Sequence, residues 1–148
     1  MDTKTQLNNA MKEAMRAKDK VAKRTLTMVR AAIQQAEKDR QKELNETETL
    51  AILQKELKSR KETIEEAKQA GRDDLVADTE AEIAVLEAYL PEAMSAEALE
   101  SLAKEVIAEL GAASPADMGK VMKTIIPRVA GRAPGGEISK VVRDLLTS

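Results

Sequence analysis

Residues 117–143 read DMGKVMKTIIPRVAGRAPGGEISKVVR, and this stretch decides the fold. At helical spacing Met118, Val121, Met122, Ile125 and Val129 gather on one side. Lys120, Lys123 and Arg128 fall on the other. After a break the design repeats, with Ile138, Val141, Val142 and Leu145 opposite Lys140 and Arg143. Gly131 between them reads as a helix stop, and Gly135-Gly136 as the turn before a new start. Strands would alternate with a period of two, and nothing here does. The stretch therefore predicts two short amphipathic helices that bury apolar faces and present one basic surface.

Working upstream, Ser114-Pro115 is a start signal, because proline suits the first turn of a helix. The helix it opens should run to about Ala130 and bend near Pro127. Ser95 caps another helix carrying Leu99, Leu102, Val106 and Leu110, closed by Gly111. Pro91 bars helix at the residue before it, which places a boundary there. Residues 93–148 are thus expected to form a compact three-helix tail.

Residues 1–92 predict four longer helices. Leu7, Ala10, Met11, Ala14 and Met15 mark the first, and Leu26, Val29, Ile33 and Ala36 the second, with Asp19 as a cap between them. Asn45 and Glu48 have capping-box spacing at the start of the third, whose apolar face is Leu50, Leu53, Leu57 and Ile64. Arg60 interrupts that face, which argues against a long coiled coil. Glu56–Arg60, Lys58–Glu62 and Lys61–Glu65 read as surface pairs. Gly71 ends the helix; Asp73 or Asp74 caps a fourth that turns Leu75, Thr79, Ile83, Leu86 and Leu90 inward. The two joined at AGRDD should form a long helical hairpin, and the whole chain reads as all-α.

Composition narrows the chemistry. The 148 residues include no His, Cys, Trp or Phe and a single Tyr. That removes Ser-His-Asp triads, cysteine nucleophiles and ordinary zinc sites. Acid–base work would fall to Asp, Glu, Lys or Tyr89, and no spacing selects among them. No cofactor or metal is implied. Single-stranded nucleic acid is gripped by stacking on aromatics, which one Tyr cannot supply. Any nucleic-acid binding should instead read the shape and phosphates of structured RNA or duplex. No apolar run approaches the ~20 residues of a membrane span, and the start MDTKTQLNNA lacks an apolar signal core. A cytoplasmic protein without membrane contact is the expectation.

Charge is segregated. Residues 1–42 carry 11 basic and 5 acidic side chains, residues 43–113 carry 7 and 18, and residues 114–148 carry 6 and 3. Such blocks also arise on ordinary solvated helix faces. In the tail, however, the basic residues meet a Gly-rich corner before a helix start, where backbone N–H groups favour anions. MGKVM is not a P-loop, since it lacks the upstream glycine and the following Ser or Thr.

The segments EIAVLEAYLPEAMSAEAL and GAASPADMGKVMKTIIPRVAGRAPGGEISKVVRDLL resemble the GatB/YqeY family across essentially the whole chain. The specific carriers are Tyr89-Leu90-Pro91, Met118 to Met122 and Gly131-Arg132, with the AGRDDLV turn in the first part. The resemblance implies a tail domain of the kind found in the GatB subunit of tRNA-dependent amidotransferases, there associated with tRNA contact. It implies an auxiliary RNA-associated protein rather than an independent amidotransferase, because neither the catalytic cradle domain nor a glutaminase partner is encoded. Matched to the tail motif, Gly119, Lys120, Gly131 and Arg132 become RNA-binding candidates; Lys123, Arg128, Lys140 and Arg143 join them by position on the helix faces. The Pro134-Gly135-Gly136 corner departs from the Asp/Asn-containing corner usual in the family. Two readings follow: association with structured RNA, above all tRNA; or a protein–protein adaptor whose acidic middle segment docks a basic partner, in the setting of a synthetase or amidotransferase assembly.

Overall fold

A computed structural model describes residues 2–147. Among the described residues there are seven α-helices, one 3-10 turn and no strand, so the protein is all-α. The chain divides into two compact units, Met1–Leu90 and Pro91–Ser148. Unit 1 holds α1 (Thr3–Ala17), α2 (Lys20–Arg40), α3 (Glu46–Gln69) and α4 (Asp73–Glu87). Unit 2 holds α5 (Ala96–Leu110), the 3-10 turn Pro115–Asp117, α6 (Met118–Val129) and α7 (Gly135–Thr147).

In unit 1 the α3–α4 hairpin is the most extensive pairing, and α2 lies against both of its arms. Its core gathers Leu7, Leu26, Val29, Leu53 and Leu86, all essentially inaccessible to solvent. The local signals that set the helix ends hold. Asp19 accepts from the Ala22 N–H at 3.0 Å, and Ser95 from the Ala98 N–H at 3.1 Å. Asn45 and Glu48 form a reciprocal box: the Glu48 N–H donates to Asn45 Oδ1 at 2.8 Å and the Asn45 N–H to Glu48 Oε1 at 3.1 Å. Gly71 turns the hairpin at φ 69°, a left-handed conformation that suits glycine.

Other expectations fail for stated reasons. Residue 72, not Asp73 or Asp74, precedes α4, and no side chain caps it; the Arg72 guanidinium instead holds Asp74 at 3.1 Å. The Arg72 partner keeps the Asp74 carboxyl below its usual range. The helix ends at Glu87, short of Leu90. Ser114 makes no cap bond, and the chain passes through the 3-10 turn before α6 begins. Met15, at core spacing in α1, stands 57% exposed.

The largest departure is Arg60, which is buried rather than paired on the surface. Its Nη1 donates to Glu56 Oε2 at 2.8 Å and to the Glu56 carbonyl oxygen at 3.1 Å. Its Nε reaches Glu82 Oε1 of α4 at 3.2 Å, and Nη2 rests 3.6 Å from the Met28 sulfur of α2. An interruption of the apolar face thus becomes a polar tie among three helices.

Two glutamates tie the loops of unit 1. Glu37 accepts from the Lys4 ammonium and, at 2.8 Å, from the Leu44 N–H. The Lys4 bond, then the Leu44 bond, holds its carboxyl below the usual range. Glu48 is lowered too, first by the Asn45 N–H and then by Lys42 and Arg40. Both groups bind protons more weakly folded than unfolded. Their contribution is therefore complete above the ordinary value of 4.5 and is lost as pH falls below it. The urea midpoint of unit 1 should drop between about pH 5 and pH 3, and Glu37→Gln should flatten that drop. A midpoint that falls equally in the variant would assign the effect elsewhere.

Unit 2 packs α5, α6 and α7 against one another around Ala103, Val106, Val121, Ile125, Val129 and Val142. α6 ends in left-handed backbone at Ala130 (φ 53°) and Gly131 (φ 78°), so the stop expected at Gly131 begins one residue earlier.

Candidate functional site

Helical register alone fixes how α6 is presented. Val121, Ile125 and Val129 recur every four residues and are buried, which turns Gly119, Lys120, Lys123, Ile126 and Pro127 to solvent. Lys120 and Lys123 are exposed, and neither side chain has a hydrogen bond or ion pair among the described residues. No acidic residue lies on α6 itself. Asp117, just before it, is occupied: it accepts from the Ala113 N–H at 2.9 Å, which lowers its carboxyl, with Lys120 adding only a minor attraction. A β-carbon added at Gly119 would meet nothing within 4 Å, so no neighbour in this chain requires glycine there.

Arg128 does not join that face. It turns toward α5 and grips Glu109 through two bonds, Nη1–Oε1 at 3.1 Å and Nη2–Oε2 at 2.6 Å. The pairing holds the Glu109 carboxyl below its ordinary range and pushes the Arg128 guanidinium up. The guanidinium is engaged within the unit by a two-pronged fork, like that of Arg72 on Asp74.

Arg132 is half-buried in the α6–α7 corner. Its Nε donates to the Glu92 carbonyl oxygen at 2.9 Å, while its own carbonyl oxygen accepts from the Met94 N–H at 2.8 Å. Arg132 therefore fastens residues 92–94 to the corner, with buried Ala133 beside it. Gly131 is left-handed and takes part in that corner. On α7, Lys140 and Arg143 are exposed, as expected, but Glu137 and Asp144 share their half of the helix. The sum of these four charges is zero, so α7 adds little field of its own.

The structure thus brings together Gly119, Lys120 and Lys123 on one face of a helix that itself carries no acidic residue. It leaves Lys140 and Arg143 in a mixed-charge setting and commits Arg128 and Arg132 to internal bonds. Sequence reading missed Glu109 and the Glu92 carbonyl, partners that lie 19 and 40 residues away and carry no local signal. Among the described residues no group of three or more acidic side chains is gathered so as to hold a metal, and no helix is long and apolar enough to cross a membrane.

The three-helix packing and its corner belong to a chain that known proteins resemble. A family model described as "Yqey-like protein" matches residues 4–146. The chain belongs to the YqeY-like family. The match runs through both units of this YqeY-like chain. It is also similar to "Altered inheritance of mitochondria protein 41, mitochondrial" of Pyrenophora tritici-repentis (strain Pt-1C-BFP), at 30% identity over 139 residues, which is 92% of this chain and 76% of that protein.

Proposed function

We propose that this YqeY-like chain is a non-catalytic helical protein that associates with structured RNA, foremost tRNA, through unit 2. The observation that carries this reading is the outer face of α6. There two unpaired lysines stand beside a glycine that the chain's own packing does not require. Lysines at such a face neutralise phosphates, and a missing side chain lets a ribose-phosphate backbone approach the helix. The lack of Phe and Trp suits recognition by shape and phosphate rather than by base stacking. In this reading residues 93–148 act as a tail domain of the amidotransferase type, and Lys140 and Arg143 contribute outer contacts. Arg128 and Arg132 shape the surface rather than touch the ligand. A synthetase or amidotransferase assembly is the setting it would serve. The site of action is a tRNA-containing aqueous compartment: the cytoplasm, or the mitochondrion carried in the fungal relative's name.

The test is filter binding of tRNA to the full chain across a salt series. Replacing Lys120 and Lys123 together by Glu should weaken binding roughly tenfold or more and flatten the salt slope by about 0.7–0.9 for each phosphate no longer neutralised. Unchanged affinity at low salt would end this reading. The adaptor reading rests on a different observation, that α4 carries six acidic residues and no basic one. A protein partner retained from lysate after nuclease treatment, with no tRNA bound, would favour it.

A further inference from the structure

α1 and α2 are joined by a short turn and run antiparallel, and a cleft of about 190 Å³ opens along their junction. Its floor is apolar and buried, made by Leu7 of α1 and Ile33 of α2. Asn8 and Gln34 line the two walls. At one end Lys4 and Glu37 satisfy each other. That leaves Arg30, a half-buried residue lining the cleft whose side chain has no hydrogen bond or ion pair among the described residues. The other arginines of unit 1, Arg16, Arg24, Arg40, Arg60 and Arg72, all have carboxylate partners, so the omission at Arg30 is specific.

We propose that this cleft binds one phosphodiester group of an RNA backbone, with the Arg30 guanidinium as the principal contact and the Asn8 and Gln34 amides donating beside it. This rests on the RNA-associated reading above and adds to it a second, separate contact in unit 1. Three features select the ligand. The cleft is smaller than the roughly 300–1,000 Å³ of small-molecule sites, so it suits one group of an extended ligand rather than a whole metabolite. The fork of an arginine matches phosphate oxygens. Exposed, unpaired lysines then continue the track along the same helix faces. Lys12 lies one turn beyond Asn8 on α1, and Lys23 two turns before Arg30 on α2. A polyanion laid along the α1–α2 junction would meet these cations in succession, whereas a single free anion would use only the cleft.

The test follows the Arg30 side-chain Nε–H resonance in the full chain while tRNA, and separately inorganic phosphate, is added. With tRNA the Arg30 resonance should shift. Arg30→Ala should weaken tRNA binding roughly five- to tenfold and flatten the salt slope by about 0.7–0.9, with Arg30→Lys recovering only part because it loses the fork. If tRNA binds and the Lys120/Lys123 double variant loses it, while Arg30→Ala binds normally and the resonance stays still, the cleft assignment is overturned and the unit 2 reading stands. A resonance that moves with phosphate in a chain that does not bind tRNA overturns RNA as the occupant. If neither probe moves it, the site itself is disproved.

Discussion

Arg60→Ala is expected to lower the unfolding free energy of unit 1 by about 2–4 kcal/mol. The side chain is 7% exposed, and its donors are taken by the Glu56 carboxylate, the Glu56 carbonyl and the Glu82 carboxylate. Alanine removes the cation shared by two carboxylates and leaves a void between α3, α4 and Met28 of α2. Breaking a fully buried pair costs about 3–5 kcal/mol. The lower figure applies because the Glu82 and Glu56 side chains keep 15% and 22% of their exposure, so water replaces part of the lost interaction. Arg60→Met separates packing from charge. It refills the volume yet leaves Glu56 without its cation and Glu82 with only the longer Arg24 contact at 3.5 Å, and adding Glu82→Gln to it should recover part of the stability. A urea-based double-mutant cycle between Arg60 and Glu82 should report a coupling well above that of an exposed pair. A coupling near zero would mean that the tie contributes no more than a surface bridge.

The same residue marks the limit of what the sequence could reveal. Features that depend on a few consecutive residues were legible: the Asn45–Glu48 box, the Asp19 and Ser95 caps, the Gly71 turn. Each is set by backbone groups at fixed short spacing, so no tertiary knowledge is needed. The apolar rows of α6 and α7 were legible for the same reason. Arg60 was not, because its wheel position is the same whether it points to water or to Glu82, and Glu82 belongs to another helix. At the candidate site the sign of the surface was readable but not its occupancy. Arg128 looks free on a wheel of α6 alone; only the placement of α5 delivers Glu109 to it. Arg132 looks like an anion ligand in a Gly-rich corner until the backbone at Glu92 folds against it. Arg30 shows the converse. One more arginine in a basic block reads as solvated, and only the α1–α2 junction makes it half-buried and unpaired.

Ile125→Ala should destabilise unit 2 by about 2–5 kcal/mol, while Ile126→Ala, one residue on, should change it by about 1 kcal/mol or less. Ile125 is 0% exposed at the centre of the α5–α6–α7 core, between Val121 and Val129 on the same face, whereas Ile126 is 37% exposed beside Lys123. At the first position alanine removes buried methyl groups and leaves a cavity that three helices cannot all close. At the second it removes packing that water already shares, and alanine's better helix propensity offsets part of that loss. Ile125→Val, about 0.5–1.5 kcal/mol, should fall between them and show that the cost follows removed volume. The comparison also protects the binding experiment. A Lys120/Lys123 variant that fails to bind tRNA but melts with wild-type unit 2 has lost charge, while one that melts early like Ile125→Ala has lost the domain. Equal costs at positions 125 and 126 would mean that α6 is rotated from the register described, and the lysine face would go with it.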